Sequence, residues 1–162
     1  MRWKMKNKTI NWNEYFLALA KISAKRSKDP NTQVGACIVS KQNRVLGIGY
    51  NGMPKGNDVD FPWSKDSNKA SEVKYSYVIH AEINAILNSI LPLNTVEDAK
   101  LYVSLFPCSN CAKVIAQTGI TTIYFDDDKY HHTEDSAISR FIFEKSKIKT
   151  IQLKKFNVTI EN

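Results

Sequence analysis

The order of elements along the chain predicts an α/β fold in three layers, with a central mixed sheet of about five strands and helices on both faces. Three observations carry this. Apolar residues recur first at helical spacing. They then fall into two short strand-like runs around a polar turn, and after residue 80 into alternating helix and strand segments. Each strand–helix–strand step in that second half implies a right-handed parallel crossover. The 162 residues, 43% hydrophobic and 24% charged, suit one domain spanning 1–162, with its core at about 13–156.

The elements follow in order. Asn13 to Ser27 reads as an amphipathic helix capped by Asn13, with Tyr15, Phe16, Leu19, Ala20, Ile22 and Ser23 near one face. Asp29-Pro30-Asn31 breaks it. Gln33–Ser40 and Arg44–Tyr50 read as strands around the turn Lys41-Gln42-Asn43. Cys37, inside the apolar run Val34–Val39, is a small core residue. Asn51–Tyr77 is irregular and rich in Gly and Pro. Its length predicts a functional loop, pinned to the body by Phe61 and Trp63. From His80 the pattern is helical, with Pro92 beyond its end. Leu101–Leu105 is a strand, Ser109–Thr118 a helix stopped by Gly119, Thr121–Phe125 a strand and Glu134–Lys145 a helix. Lys149–Lys154 is the last strand, with Phe156–Ile160 extending the edge.

Composition excludes several classes. No run approaches the roughly 18 apolar residues of a membrane helix. The basic start MRWKMKNKTINWNEYF has no apolar stretch, so it does not read as a secretory signal. Three cysteines, an odd number, argue against a disulfide framework. A cytoplasmic protein is expected. The net charge of +7 fits an anionic partner without choosing among nucleotide, nucleic acid and acidic surface. The charge is diffuse and lacks the interleaved aromatics of a polynucleotide channel. Phe61-Pro62-Trp63, the nearest approach to one, sits beside Asp58 and Asp60. Nucleic acid is therefore the less favoured partner.

Chemistry concentrates in two motifs. His80-Ala81-Glu82 is followed 25 residues later by Pro107-Cys108-Ser109-Asn110-Cys111. H-x-E…P-C-x-x-C is the signature of zinc-dependent base deaminases. A catalytic zinc keeps three protein ligands and one open position, here His80, Cys108 and Cys111. Cys108 and Cys111 open a helix, where the partial positive charge favours thiolate, the ligating form. Glu82 is placed beside the open corner as the general acid–base that moves protons between water, ring nitrogen and leaving amine. The competing reading is a structural zinc with a fourth ligand from Cys37, His131 or His132.

With those residues placed, the chain resembles the deoxycytidylate (dCMP) deaminase family. Arg26–Val39, Gly47–Pro54, Tyr77–Ile86, Leu105–Lys113 and Asp128–His131 all look like segments of that family, in its order, across roughly residues 13 to 156. Lys69–Lys74 and Ser89–Glu97 depart from its pattern. The resemblance implies the cytidine-deaminase-like fold, one catalytic Zn2+ per chain and conversion of dCMP to dUMP, the thymidylate precursor. It implies Asn51, Arg26, Ala81, Phe106, Lys129 and Tyr130 as substrate-binding residues, with Arg26 and the Lys129-Tyr130 pair toward the 5′-phosphate. Gly49, Tyr50 and Gly52 stand at an implied effector site. A homo-oligomer, commonly a hexamer, is also implied, with dCTP activating and dTTP inhibiting. Mg2+ would accompany a triphosphate effector. The alternatives are deamination of dCTP, or of both nucleotides, deamination of cytosine or adenine in a polynucleotide, and a nucleotide sensor that keeps zinc without turnover.

Overall fold

The structure is a computed structural model and describes residues 8–161. The first seven residues of the basic start lie outside that range. Five strands form one sheet in the order β2-β1-β3-β4-β5. They are β1 (Gly35–Val39), β2 (Val45–Tyr50), β3 (Ala99–Leu105), β4 (Ile120–Asp127) and β5 (Lys149–Gln152). β1 runs antiparallel to both β2 and β3, while β3, β4 and β5 are mutually parallel. The expected mixed sheet is therefore found, with its parallel half where strands alternate with helices. Four helices flank it: α1 (Trp12–Ala24), α2 (Ala81–Leu87), α3 (Ser109–Ile115) and α4 (Glu134–Lys145).

Strand alternation divides the core. Cys37, Val39 and Tyr102 face α1, packing on Phe16, Leu17 and Ala20. Ala36, Ile38, Leu101, Val103, Ile123 and Phe125 face the other way, onto Ala81, Ala85, Cys111, Ala112, Ile115 and Phe143 of α2, α3 and α4. Cys37 is fully buried, as its apolar run predicts.

Helix α1 starts earlier than its sequence suggests. Asn11, not Asn13, is the cap: it accepts from the Glu14 N–H, and Glu14 accepts from the Asn11 N–H, a reciprocal capping box. Asn13 lies within the first turn and accepts a 2.8 Å bond from the Tyr102 hydroxyl. Packing on the sheet buries Phe16, Leu17, Ala20 and Ala24 and leaves Tyr15 exposed. The other displaced expectation is at the C-terminus. β5 ends at Gln152 and no strand forms over 156–160. Phe156 packs against the α1 side, where its ring lies 4.8 Å from Lys21 Nζ.

Helix α2 and the residues that follow it close over the exposed edge of β2. The Leu46, Ile48 and Tyr50 carbonyls accept from the Ile90 N–H, the Asn88 amide and the Asn84 amide, so these three edge acceptors are used internally. Such closeness is allowed only by glycine. A Cβ on Gly47 would stand 2.2 Å from the Ala85 carbonyl oxygen.

Candidate metal centre and cleft

β3 ends at Leu105, and Pro107, lacking an N–H, stops further pairing. Cys108 then takes the N-cap of α3, and Cys111 follows within its first turn on the same face. His80 takes the N-cap of α2 with nearly the same backbone, φ −72° and ψ 156° against −72° and 168° for Cys108. Neither cap side chain bonds a helix N–H, so both are free to ligate.

The three side chains converge. His80 Nδ1 lies 3.4 Å from Cys108 Sγ and 3.4 Å from Cys111 Sγ, and all three donor atoms fall within 4.8 Å of one another. Tetrahedral zinc, with Zn–S of about 2.3 Å and Zn–N of about 2.0–2.1 Å, requires S···N separations of about 3.6 Å. The donors therefore stand close to ligating separation. Among the described residues no fourth His, Cys, Asp or Glu joins the group. Cys37 faces α1 on the opposite side of the sheet, and His131 and His132 are away from it in a turn after β4. The structural-zinc reading thus lacks its fourth ligand within the described chain.

The three donors also compete for protons. Hydrogen bonding with Cys111, then with His80, draws the Cys108 thiol down to about 4 against its burial. The bond to Cys108 lifts His80 to about 9. The hydrogen bond with Cys108, together with burial, pushes Cys111 up. One imidazolium stabilises one thiolate, whereas a divalent cation stabilises two and leaves the imidazole neutral.

Glu82 is the second residue of α2, 4% exposed, with its carboxyl against Cys111. Burial raises its pKa, the direction that suits a group handling protons near neutrality. It sits on a cleft of about 160 Å³. Val34, Val78, Leu105 and Phe106 form apolar walls, and Asp29, Thr32, Asn51, Lys65, Lys74 and Tyr130 bring polar groups.

Several further residues brace this centre. Asp135 of α4 accepts the Ser109 N–H at 3.1 Å and the Ser109 hydroxyl at 2.5 Å, capping α3 from outside. The Ser139 hydroxyl donates to the Pro107 carbonyl at 2.8 Å. Arg140 lies 4.0 Å over the Phe106 ring and bonds Asp128, which anchors the turn bearing Tyr130.

The residues expected at the site divide. His80, Ala81, Glu82, Phe106, Cys108, Asn51 and Tyr130 line the cleft, and Cys111 meets them beneath it. Asn51 is buried and donates to Asp29 and to the Thr32 carbonyl while accepting from the Val34 N–H, so both its amide hydrogens serve the chain itself. Arg26 is exposed in the turn that ends α1, outside the cleft walls. Lys129 is exposed too, bonding Thr32 Oγ1 at 3.2 Å from an adjoining cleft. Gly49, Tyr50 and Gly52 hold α2: a Gly49 Cβ would meet Ala85 N at 2.3 Å, the Tyr50 carbonyl accepts from Asn84, and Gly52 pairs with Ile79. Sequence reasoning does not find Asp29, Lys74, Thr32 or Lys65. Asp29 reads as a helix breaker and Lys74 as one cation in a polar stretch, and the burial that distinguishes them arises only on folding.

Residues 10–127 match the cytidine and deoxycytidylate deaminase zinc-binding region. Over 141 residues the chain is 48% identical to the deoxycytidylate deaminase of Homo sapiens, spanning 86% of this chain and 78% of the human one. Over 127 residues it is 50% identical to the probable deoxycytidylate deaminase of Drosophila melanogaster, spanning 75% and 62%. The crystal structure of the dCMP deaminase from the cyanophage S-TIM5 in complex with dCMP and dUMP shares the fold, with a TM-score of 0.66, 21% identity and coverage of 86% and 95%.

Proposed function

The chain belongs to the cytidine and deoxycytidylate deaminase family, and from that premise we propose that it hydrolyses dCMP to dUMP and ammonia in a zinc-dependent reaction, supplying dUMP for thymidylate synthesis. The observation that carries this reading is the convergence of His80, Cys108 and Cys111 with the buried carboxyl of Glu82 beside them on one cleft.

His80, Cys108 and Cys111 would hold a zinc ion, which would supply the Lewis acidity that activates water. The chain's own groups do the rest. Glu82 accepts a proton from the attacking water and passes it to ring N3 as the bond to C4 forms; it then takes the proton of the new C4 hydroxyl and delivers it to the amine as the C4–N bond breaks and the carbonyl forms. Its burial keeps that carboxyl away from bulk solvent. Ala81, in the first turn of α2 where N–H groups have no helical partner, offers its backbone to the pyrimidine edge. Phe106 and Val34 give the ring apolar faces, Asn51 orders the wall beside the sugar, and Tyr130 closes the rim.

The finer expectations belong to this reading too: a cytoplasmic homo-oligomer, a hexamer by family resemblance, activated by dCTP with Mg2+ and inhibited by dTTP, with Gly49, Tyr50 and Gly52 near the effector. Among the described residues no helix is long and apolar enough to cross a membrane. Ammonia release is the test, measured with zinc-loaded protein on dCMP, dCTP, deoxycytidine and a cytosine-bearing oligonucleotide. Fastest turnover is expected on dCMP. Turnover of the oligonucleotide without dCMP would overturn the proposal.

A further inference from the structure

We infer that Lys74, held in place by Asp29, is the cation that engages the phosphate of a nucleoside monophosphate in the cleft, and so sets the preference for nucleotide over nucleoside. The inference rests on the deaminase reading above. Lys74 is 5% exposed, unusual for lysine, and lines the cleft shared with His80 and Glu82. Its Nζ lies 2.5 Å from Asp29 Oδ2. Among the described residues this carboxylate is its one hydrogen-bond acceptor, although an ammonium carries three donors.

Asp29 does not need the lysine to be satisfied. Its Oδ1 accepts the Asn31 and Thr32 N–H groups at 2.8 and 3.2 Å, and its Oδ2 also accepts the Asn51 amide at 3.1 Å. Those donors spread the carboxylate's charge and leave it no room for a ligand. Beyond Asp29, Lys74 Nζ has only the Tyr75 ring, 5.6 Å away, beside it among the described residues, which leaves ammonium donors without a hydrogen-bond acceptor at the cleft wall. Burying an ammonium is costly unless it is fully paired, so a half-satisfied buried lysine at a cleft points to an anionic ligand. Its backbone is rigidly set: the Lys74 N–H donates to the Ser64 carbonyl, and its own carbonyl accepts from Tyr77 and Val78, the latter two residues before His80. The ammonium is therefore fixed relative to the metal ligands before substrate arrives. The other lining cation, Lys65, is exposed, and Arg26 and Lys129 are not among the residues that line this cleft.

The test is Lys74→Gln, which keeps a donor for Asp29 and removes the charge, with Lys74→Arg as the charge-conserving partner. The readout is the ratio of kcat/KM on dCMP to that on deoxycytidine. A charge-assisted contact to phosphate makes the ratio fall by about 10- to 100-fold in Lys74→Gln and recover largely in Lys74→Arg. Wild type that turns over no cytosine nucleotide would indict the deaminase reading. Wild type that prefers dCMP, with Lys74→Gln slowed equally on both substrates, would instead overturn the role of Lys74. Should the variants not fold, NMR of the Lys74 ε-methylene in the wild-type chain reads the same contact. A shift with dUMP and none with deoxyuridine supports the inference, and equal shifts overturn it.

Discussion

Replacing Gly49 with alanine would place a methyl carbon 2.3 Å from the Ala85 amide nitrogen, 2.5 Å from the Ala81 carbonyl oxygen and 2.8 Å from the Asn84 carbonyl carbon. All three are backbone atoms of one helix, so no side chain can swing away to relieve the clash. Ordinary contacts need about 3.5 Å or more, which requires α2 to withdraw by about 1 Å. Overpacking of this kind costs about 1–3 kcal/mol, and a domain of this size loses about 2–4 °C of Tm per kcal/mol. A fall of roughly 2–12 °C follows. The displacement also reaches the metal centre, because His80 immediately precedes α2 while both cysteines belong to the start of α3. Disturbing the support of a ligand typically weakens metal binding by about 10- to 100-fold. Thermal unfolding with and without zinc, and zinc titration against a chromophoric chelator, measure both effects. Gly52→Ala is the contrast, since its Cβ would meet only the Tyr50 ring at 3.9 Å. Gly49→Ala with wild-type Tm and zinc affinity would refute the claim that this glycine exists to seat α2.

Three other outcomes are expected. Glu82→Gln preserves shape and zinc content but loses deaminase activity by at least about 10²- to 10⁴-fold, the range for a lost general acid–base, and a fully active variant would remove the proton shuttle. Asp135→Ala removes the external cap on Ser109 and weakens zinc binding about tenfold with little change in secondary structure, as read by chelator competition and circular dichroism. Asp29→Asn breaks a buried ion pair and lowers stability at pH 7 by about 3–5 kcal/mol in urea unfolding. Burial pushes the Asp29 carboxyl up, but hydrogen bonds from Lys74, Asn31 and Thr32 outweigh it and hold the group below its ordinary 3.8. Its contribution is thus present above pH 3.8 and lost as pH falls through the depressed value, so the difference between variant and wild type must shrink in acid.

The metal site is legible in the chain because its chemistry is local. A proline that cannot pair, two thiols three residues apart and a histidine two residues before a glutamate each declare themselves within a few positions. The same locality makes α4 and the strand pair around residues 41–43 readable from periodicity and turn residues. Short-range signals fail where a distant partner decides the outcome. Asn13 reads as the cap of α1, but in the fold its side chain is taken by the distant Tyr102 hydroxyl, and Asn11 caps the helix with Glu14. Phe156–Ile160 has strand-like residues, but the α1 face offers Phe156 a place to pack.

Residue type and spacing over a single turn or strand are enough to specify the donor set, the order of elements and the points where α2 and α3 begin. Packing of distant segments was needed to bring His80 against both thiols across two helices, and to join Asp29, Asn51 and Lys74 in one buried network from three separate stretches of chain. It also selects which cations face the cleft. Burial and long-range approach belong to the folded chain as a whole, and a lysine reads the same in sequence whether solvent surrounds it or a carboxylate holds it inside.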